Sequence, residues 1–288
     1  MKNIKSQVIR GFPGGFSVLM SVYAKDDEIL LTNAVVSIYS NTLIPDQVIL
    51  VVDGPIPRNL NDSIAFLKDK YPLEVLYLPT NLGLANALNQ GIMKINTDWV
   101  LRADADDLNL PFRFELQADI VNDFNNSIDI LGGAIQEVDS LGNLLGIRKT
   151  AELHSDILRY AIKRNPFNHM TVGFKKDFVI KCGGYPRIYL KEDYALWVTM
   201  LRAGAVSHNS SKVLVLVSAG SEMYKRRGGL YYALTEIKLQ KHLVKNGFKN
   251  YLEAILDGLL RAFVFLIPSM LRGMIYERFF RYYRKNTK

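Results

Sequence analysis

The chain has 288 residues, 49% hydrophobic and 22% charged, an ordinary globular composition with length for a large core. A single cysteine, Cys182, excludes an intrachain disulfide and fits a reducing compartment. The net charge of +8 is lopsided: from Arg261 to the end there are seven Lys/Arg and one Glu, a net of +6, so an anionic surface is the expected partner of that end.

The N-terminal stretch MKNIKSQVIRGFPGG lacks the apolar centre of a secretory signal, and the expected location is cytoplasmic. From Phe16 onward, strand-like and helix-like runs alternate. FSVLMSV (16–22) reads as a buried strand, and DEILLTNAVVSIYSN (27–41) as a helix after an acidic first turn. QVILVVD (47–53) is a second strand, ended by Gly54-Pro55. SIAFLKDKY is a helix, LEVLYLP a strand, GLANALNQGIMKI (83–95) a helix, and DWVLRAD (98–104) a fourth strand. This repetition predicts a parallel sheet with helices on both faces. The strands are apolar runs rather than strict alternations, which suits burial on both sides.

The pattern then loosens. A helix is expected over 110–122, and IDILGGAIQEVD reads as one or two strands. NHMTVGFKKDFVIKCGGY reads as a strand, a short helix and a Gly-Gly turn. EDYALWVTMLRAG (192–204) is an amphipathic helix with Gly204 as its C-cap, and KVLVLVS is a late strand.

In an open parallel sheet, ligands sit beyond the carboxyl ends of the strands. Ser21, Tyr23, Asp53 and the acidic run Asp104–Asp107 all fall there. Three aspartates in four residues suit a hard divalent cation, which takes one or two carboxylates and completes its shell with phosphate oxygens and water. In an extended Asp-x-Asp, the side chains of Asp104 and Asp106 share one side of the backbone. The competing reading is a solvated turn with Asp107 capping the next helix.

FSVLMSVYAKDD, VILVVDGP, NLGLANALNQGI, TDWVLRADADDLNLPFRFELQ and GGYPRIYLKEDYALWVTMLRAG stand in this order. Together they resemble family 2 glycosyltransferases, in particular the bacterial exopolysaccharide, capsule and O-antigen branch that includes amylovoran-type enzymes. The resemblance covers about Phe16 to Gly204. It implies a GT-A fold: α/β, with a mostly parallel Rossmann-like sheet flanked by helices, here followed by a helical C-terminal extension. It divides the chain into a catalytic domain at 1–220, with a nucleotide-sugar half at about 16–108 and an acceptor half at 109–220, and a basic extension at 221–288.

The resemblance also implies an inverting transfer of one sugar from a nucleotide-sugar, expected to be a UDP-sugar, with Mn²⁺ or Mg²⁺ as cofactor. Ser21, Val22, Tyr23 and Asp27 correspond to the first nucleotide-contacting turn. Asp53 corresponds to the carboxylate that meets the base, and Asn81 and Gly83 open a helix near the nucleotide. Asp104 and Asp106 correspond to the metal pair, with Arg102 beside them facing phosphate or an ion pair with an Asp. A general base must sit across the sugar from the leaving diphosphate. Asp193 matches that base, with Glu192 as its neighbour in the acceptor pocket. Both acids start a helix, where the dipole favours negative charge. His169 lies in the stretch beside the acceptor, and Arg226 and Arg227 stand on a Gly-Gly hinge that could close over the diphosphate. His154, His208 and His242 read as structural, and Trp197 as core or sugar platform. The chain lacks the Gln-x-x-Arg-Trp of processive relatives, which favours single-sugar transfer.

The C-terminal run LLRAFVFLIPSMLRGMIYERFFRYYRK interleaves arginine with aromatic and aliphatic residues. Its longest uncharged stretch, Ala262 to Leu271, is ten residues, against about 20 for a spanning helix. It reads as a peripheral contact with the inner face of the cell membrane, or as a helical pair packed on the core with a solvated basic end, rather than as a nucleic-acid site. The family implies a saccharide acceptor on undecaprenyl diphosphate, which requires that location. A sugar nucleotidyltransferase would instead carry a Gly-rich basic loop after the first strand, where this chain has the acidic SVYAKDDE. A non-catalytic scaffold of the same fold would be expected to have lost Asp193 or the Asp104/Asp106 pair, and all three are present.

Overall fold

The structure is a computed structural model that describes residues 11–139, 142–218 and 230–266. Its first half holds four parallel strands, β1 (Phe16–Val22), β2 (Gln47–Val52), β3 (Leu73–Tyr77) and β4 (Trp99–Arg102), in the order β3-β2-β1-β4. Helices α1 (Glu28–Tyr39), α2 (Arg58–Lys70) and α3 (Leu84–Ile92) connect them. Alternate strand residues enter two separate cores. Val18, Met20, Val48 and Leu50 pack with α1 and α2. Leu19, Ile49 and Val51 pack with Ala87, Leu88 and Ile92 of α3 on the other face. Burial on both faces is why these strands carry no polar alternation. Gly91 of α3 lets helix and sheet meet closely, since a Cβ there would lie 2.4 Å from Leu19 Cδ1.

The second half is not parallel throughout. It contains β5 (Leu108–Asn109), α4 (Arg113–Asp123), β6 (Ile130–Val138), β7 (Leu144–Arg148), α5 (His154–Ala161), a 3-10 turn at His169–Thr171, β8 (Gly173–Lys175), α6 (Lys176–Lys181), α7 (Glu192–Arg202) and β9 (Ser207–Ser218). β8 runs antiparallel to both β4 and β6, joining the halves, and β5 and β7 are also antiparallel to their neighbours. Only β6 and β9 pair in parallel here. The expected α/β sheet is therefore present, with its parallel part confined to the first half and the β6–β9 pair. Strand β5, which follows β4, pairs with β9, so the far half of the sheet returns to the carboxyl end of β4.

Two expectations change locally. Asp107 does not cap α4, whose N-cap is Phe112 with no side-chain bond. The Asp104–Asp107 run is not extended either, because Ala105 and Asp106 form a turn. Helix α7 has Ala203 as its C-cap, and Gly204, expected as the cap, stands one residue further on at φ 92°.

The extension begins with α8 (Leu230–Lys245) and α9 (Tyr251–Leu266). Helix α8 packs on α7, where His242 Nε2 lies 3.0 Å from the Ala195 carbonyl and 2.9 Å from Thr199 Oγ1. At the start of α7, Lys191 Nζ is 3.1 Å from Glu236 Oε2 and is covered by the rings of Tyr232 and Phe265. Glu236 is fully buried, so this pair ties the extension to the residue next to Glu192.

Candidate active site

The carboxyl ends of β1, β2 and β4 lie side by side, since β1 pairs in parallel with both others. After β1, the backbone turns at Tyr23, whose N–H donates to Asp26 Oδ2 at 2.9 Å. Asp27 caps α1, accepting from the N–H groups of Ile29 and Leu30 at 2.8 and 3.0 Å. Its carboxylate is thus engaged by the helix it opens. Ser21 and Tyr23 are half-buried on this edge, and Val22 is buried.

After β2, Asp53 is buried and accepts from the backbone N–H of Leu82 at 2.7 Å and of Gly83 at 2.9 Å. Asn81 Nδ2 donates back to the Asp53 carbonyl at 3.0 Å. Gly54, at φ 87°, is required here because a Cβ would lie 2.4 Å from the Asn81 nitrogen. Asp53 therefore fastens the loop that starts α3, and it brings Asn81, Gly83 and the helix N-terminus to the same crevice.

After β4 comes the acidic run, and the three aspartates are in different states. Asp106 is exposed, Asp104 is half-buried and Asp107 is buried. Burial, then the charges of Asp104 and Asp106, push the Asp107 carboxyl well above the usual range. Beneath the loop lie two buried guanidinium groups. Arg102 is 1% exposed and binds Asp104, while donating to the Leu19 carbonyl at 2.7 Å. Arg113 donates to the Arg102 carbonyl at 2.7 Å and to Gln117 Oε1 at 3.0 Å. Burial and the nearby Arg102 pull Arg113 down to about 9. Two buried cations under three acids explain how so many like charges stand together. Arg102 is consequently spent in the fold and holds Asp104, rather than facing a phosphate.

Arg102 also reaches the second half of the molecule. Its Nε is 3.4 Å from His169 Nε2, and His169 Nε2 is 3.1 Å from the Tyr185 hydroxyl. Burial first, then Arg102, lowers the His169 imidazole, and Nε2 as acceptor fits its neutral form. Burial raises the Tyr185 hydroxyl, so it stays protonated. The charges of Asp193 and Asp104 both act on these two rings, which lie between the two acidic sites.

Asp193 and Glu192 open α7. Leu190, just before them, has φ 58°, a left-handed conformation that costs a leucine roughly 1–2 kcal/mol. Asp193 is half-buried, and Asn165 Nδ2 donates to its Oδ2 at 2.5 Å. Glu192 is buried with Oε2 lacking a hydrogen-bond partner. Burial, and then the charge of Asp193, push Glu192 up to about 7, against backbone hydrogen bonds at Leu190–Glu192 that favour its charge. Perturbed acids of this kind cluster at functional sites.

Trp197 is fully buried among Phe167, His169, Phe174 and Tyr185, so it is core and not a platform. His154 bonds Ser207, His208 lies against Phe124, and His242 bonds α7, all structural as expected. Arg226 and Arg227 lie outside the described residues. Sequence reasoning missed Tyr185 and Asn165. The Gly183-Gly184 turn before Tyr185 was a usable signal, whereas nothing in the chain pattern marks Asn165. Among the described residues, no cluster of three or more His, Cys, Asp or Glu is arranged to hold a metal ion.

Comparison with known proteins gives this geometry its setting. The model of the family described as glycosyl transferase family 2 matches residues 17–182. The chain is 40% identical over 266 residues to a UDP-Gal:alpha-D-GlcNAc-diphosphoundecaprenol beta-1,3-galactosyltransferase of Escherichia coli, covering 92% of this chain and 96% of that one. It is 34% identical over 263 residues to the amylovoran biosynthesis glycosyltransferase AmsE of Erwinia amylovora, covering 91% and 98%. Its fold is similar to that of S. aureus TarS 1-349 in complex with UDP-GlcNAc, with a TM-score of 0.66 at 16% identity over 88% of this chain and 73% of that one. The parallel half with acids at its strand ends lies inside the matched region but for Phe16, and these two relatives cover more than nine-tenths of the chain. It belongs to glycosyl transferase family 2.

Proposed function

We propose that the chain transfers one sugar, with inversion, from a UDP-sugar to a saccharide carried on undecaprenyl diphosphate, in bacterial surface polysaccharide biosynthesis. The observation that carries this reading is the presence of two acidic sites, Asp104/Asp106 and Asp193/Glu192, whose charges both act on His169 and Tyr185, the rings that Arg102 joins to Asp104. The E. coli relative's printed donor and acceptor support the substrate classes.

In this reading, Ser21, Val22, Tyr23 and Asp27 lie on one side of the nucleotide, and Asn81 and Gly83 on the other, with Asp53 fixing the floor. Arg226 and Arg227 keep their proposed contact with the diphosphate. Asp104 and Asp106 are the carboxylates that would hold Mn²⁺ or Mg²⁺. Their donor set fits a hard cation whose shell substrate oxygens complete, so a third protein carboxylate is not required. When bound, the cation neutralises the departing diphosphate. Asp193 takes the proton of the acceptor hydroxyl, and Asn165 orients it. Glu192 stands behind it, and His169 and Tyr185 set the polar wall between donor and acceptor. The test is a transfer assay with UDP-galactose, UDP-glucose and UDP-GlcNAc on a prenyl-diphosphate-linked sugar, followed by NMR of the product linkage. Transfer with inverted anomeric configuration is expected, and retention or simple hydrolysis would overturn the reading.

The catalytic unit ends near residue 220 in this reading, and the extension 221–288 holds it to the inner membrane surface. On α9, Leu252, Ile255, Leu256, Leu259, Leu260 and Phe263 recur at helical spacing and are each 57–68% exposed. The inward stripe is instead Ala254, Gly258 and Phe265. A globular helix normally turns its large apolar residues inward, so this inverted pattern suits insertion into a headgroup layer. The sequence that follows adds six of the seven C-terminal Lys/Arg, complementary to anionic lipid. No helix among the described residues is long and apolar enough to cross a membrane. In flotation with phosphatidylglycerol vesicles, Leu256→Glu/Leu259→Glu is expected to cut bound protein at least tenfold at unchanged Tm. Equal binding, or a solution dimer that buries this face, would refute membrane docking.

A further inference from the structure

We infer that an open cleft of about 380 Å³ beside α5, lined by Ala151, Asp156, Arg159, Tyr160, Lys163 and Arg164, is the subsite for the diphosphate of the lipid-linked acceptor. The inference rests on the acceptor class proposed above. Three cations and one carboxylate line the cleft, and the carboxylate, Asp156, is already paired with Arg159. The net of two positive charges matches a diphosphate diester. An i,i+3 surface pair accounts for Arg159 and Asp156 alone. It does not account for Lys163, which stands beyond the end of α5.

The position of the cleft separates it from an ordinary solvated face. Arg164 lines the cleft, and the next residue, Asn165, donates to Asp193 Oδ2 at 2.5 Å. Tyr194, the residue after Asp193, donates from its hydroxyl to the Ala161 carbonyl at 2.6 Å. The wall of the cleft is thus bonded at two points to the start of α7. On its other side, Arg261 of α9 donates to the Lys163 carbonyl. Segment 160–165 is therefore strapped between the acceptor carboxylate and the helix with the outward apolar face. A lipid-linked sugar needs this order: lipid at the membrane, diphosphate next, reacting hydroxyl last. Charged guanidinium and ammonium groups are the usual partners of phosphate oxygens. Asp257, the carboxylate of α9 nearest Lys163, is held by Lys249 at 2.6 Å, so it leaves the balance of the cleft positive.

The test uses Lys163→Gln/Arg164→Gln, which keeps the Arg159–Asp156 pair and all three straps. Calorimetry with farnesyl diphosphate probes a lipid diphosphate without a sugar, and inorganic pyrophosphate probes a free anion. Wild type is expected to bind farnesyl diphosphate more tightly than pyrophosphate, and the double variant at least tenfold more weakly, with UDP affinity in Mn²⁺ unchanged. With an acceptor that supports turnover, the variant raises the acceptor KM tenfold or more while kcat and donor KM hold. Four results overturn the proposal: no binding by wild type, equal binding by the variant, displacement of farnesyl diphosphate by UDP, or pyrophosphate bound as tightly as the lipid. A wild type that transfers no sugar would instead defeat the transferase reading, and calorimetry would still judge the cleft.

Discussion

Asp193→Asn lowers kcat about a thousandfold or more, within the range for loss of a positioned general base, and leaves Mn²⁺-dependent UDP binding at the wild-type value. The substitution is close to isosteric, and its amide oxygen can still accept from Asn165, so Tm stays near wild type. Full activity in this variant would remove Asp193 from the chemistry. The pH dependence of the same site follows from Glu192. Burial, and then Asp193, hold its proton until about pH 7. Its ionisation strengthens the negative field at the neighbouring base, so kcat/KM rises with pH and inflects near 7 as that proton leaves. Glu192→Gln removes that inflection. The stability consequence has the opposite sense. Glu192 has a folded value raised from 4.5 to about 7, so its favourable contribution is complete below about pH 4.5 and is lost as pH rises through 7. Relative to wild type, Glu192→Gln is therefore more stable at pH 8, by up to roughly 3 kcal/mol, and gains little at pH 4.5. Thermal melts at the two pH values check the sign.

Asp106→Ala abolishes Mn²⁺-dependent UDP binding in calorimetry with a Tm within about 2 °C of wild type, because Asp106 is exposed and lies in a turn. Asp104→Ala loses the same binding and also destabilises the protein. It strips the counter-charge from Arg102, which is 1% exposed against 26% for Asp104. Removing one partner of a buried pair strands a charge, at a cost here of roughly 2–3 kcal/mol once the partial exposure of Asp104 is discounted. Equal Tm values for the two variants would refute the structural role given to Arg102. UDP binding that needs neither metal nor Asp106 would return the acidic run to a solvated turn.

Much of the frame was legible along the chain, for a definite reason. Strands β1, β2 and β4 are buried on both faces, and that burial is written as mostly apolar runs without alternation at Phe16–Val22, Gln47–Val52 and Trp99–Arg102. Each run stops where a polar residue must leave the sheet, which marked Asp53 and Asp104 as strand-end groups before any packing was known. The start of α7 at Glu192 was likewise visible, because acids favour a helix first turn and Gly204 ends the pattern. Short or exposed pieces left little trace. Strand β7 has two exposed leucines, Leu144 and Leu145, and β5 is only two residues long.

What periodicity cannot encode is how each polar atom is used, since that depends on residues distant in the chain. Arg102 meets His169 across 67 positions, Asn165 meets Asp193 across 28, and Arg261 meets Lys163 across 98. Those contacts decide that Arg102 holds Asp104 instead of a phosphate, that Asp107 is buried while Asp106 is exposed, that Asn165 holds Asp193 and that Tyr185 meets His169. Helix α9 shows the same division. Its residues alone announce an amphipathic helix, but amphipathic spacing is silent on direction. Only the packing of Ala254 and Gly258 inward leaves the large apolar face outside. Apolar pattern and acid position were thus determined by the sequence itself, because each reflects local burial. The partners of the buried charges and the outward face of α9 were decided by tertiary structure, because each is a contact between segments that the chain order keeps apart.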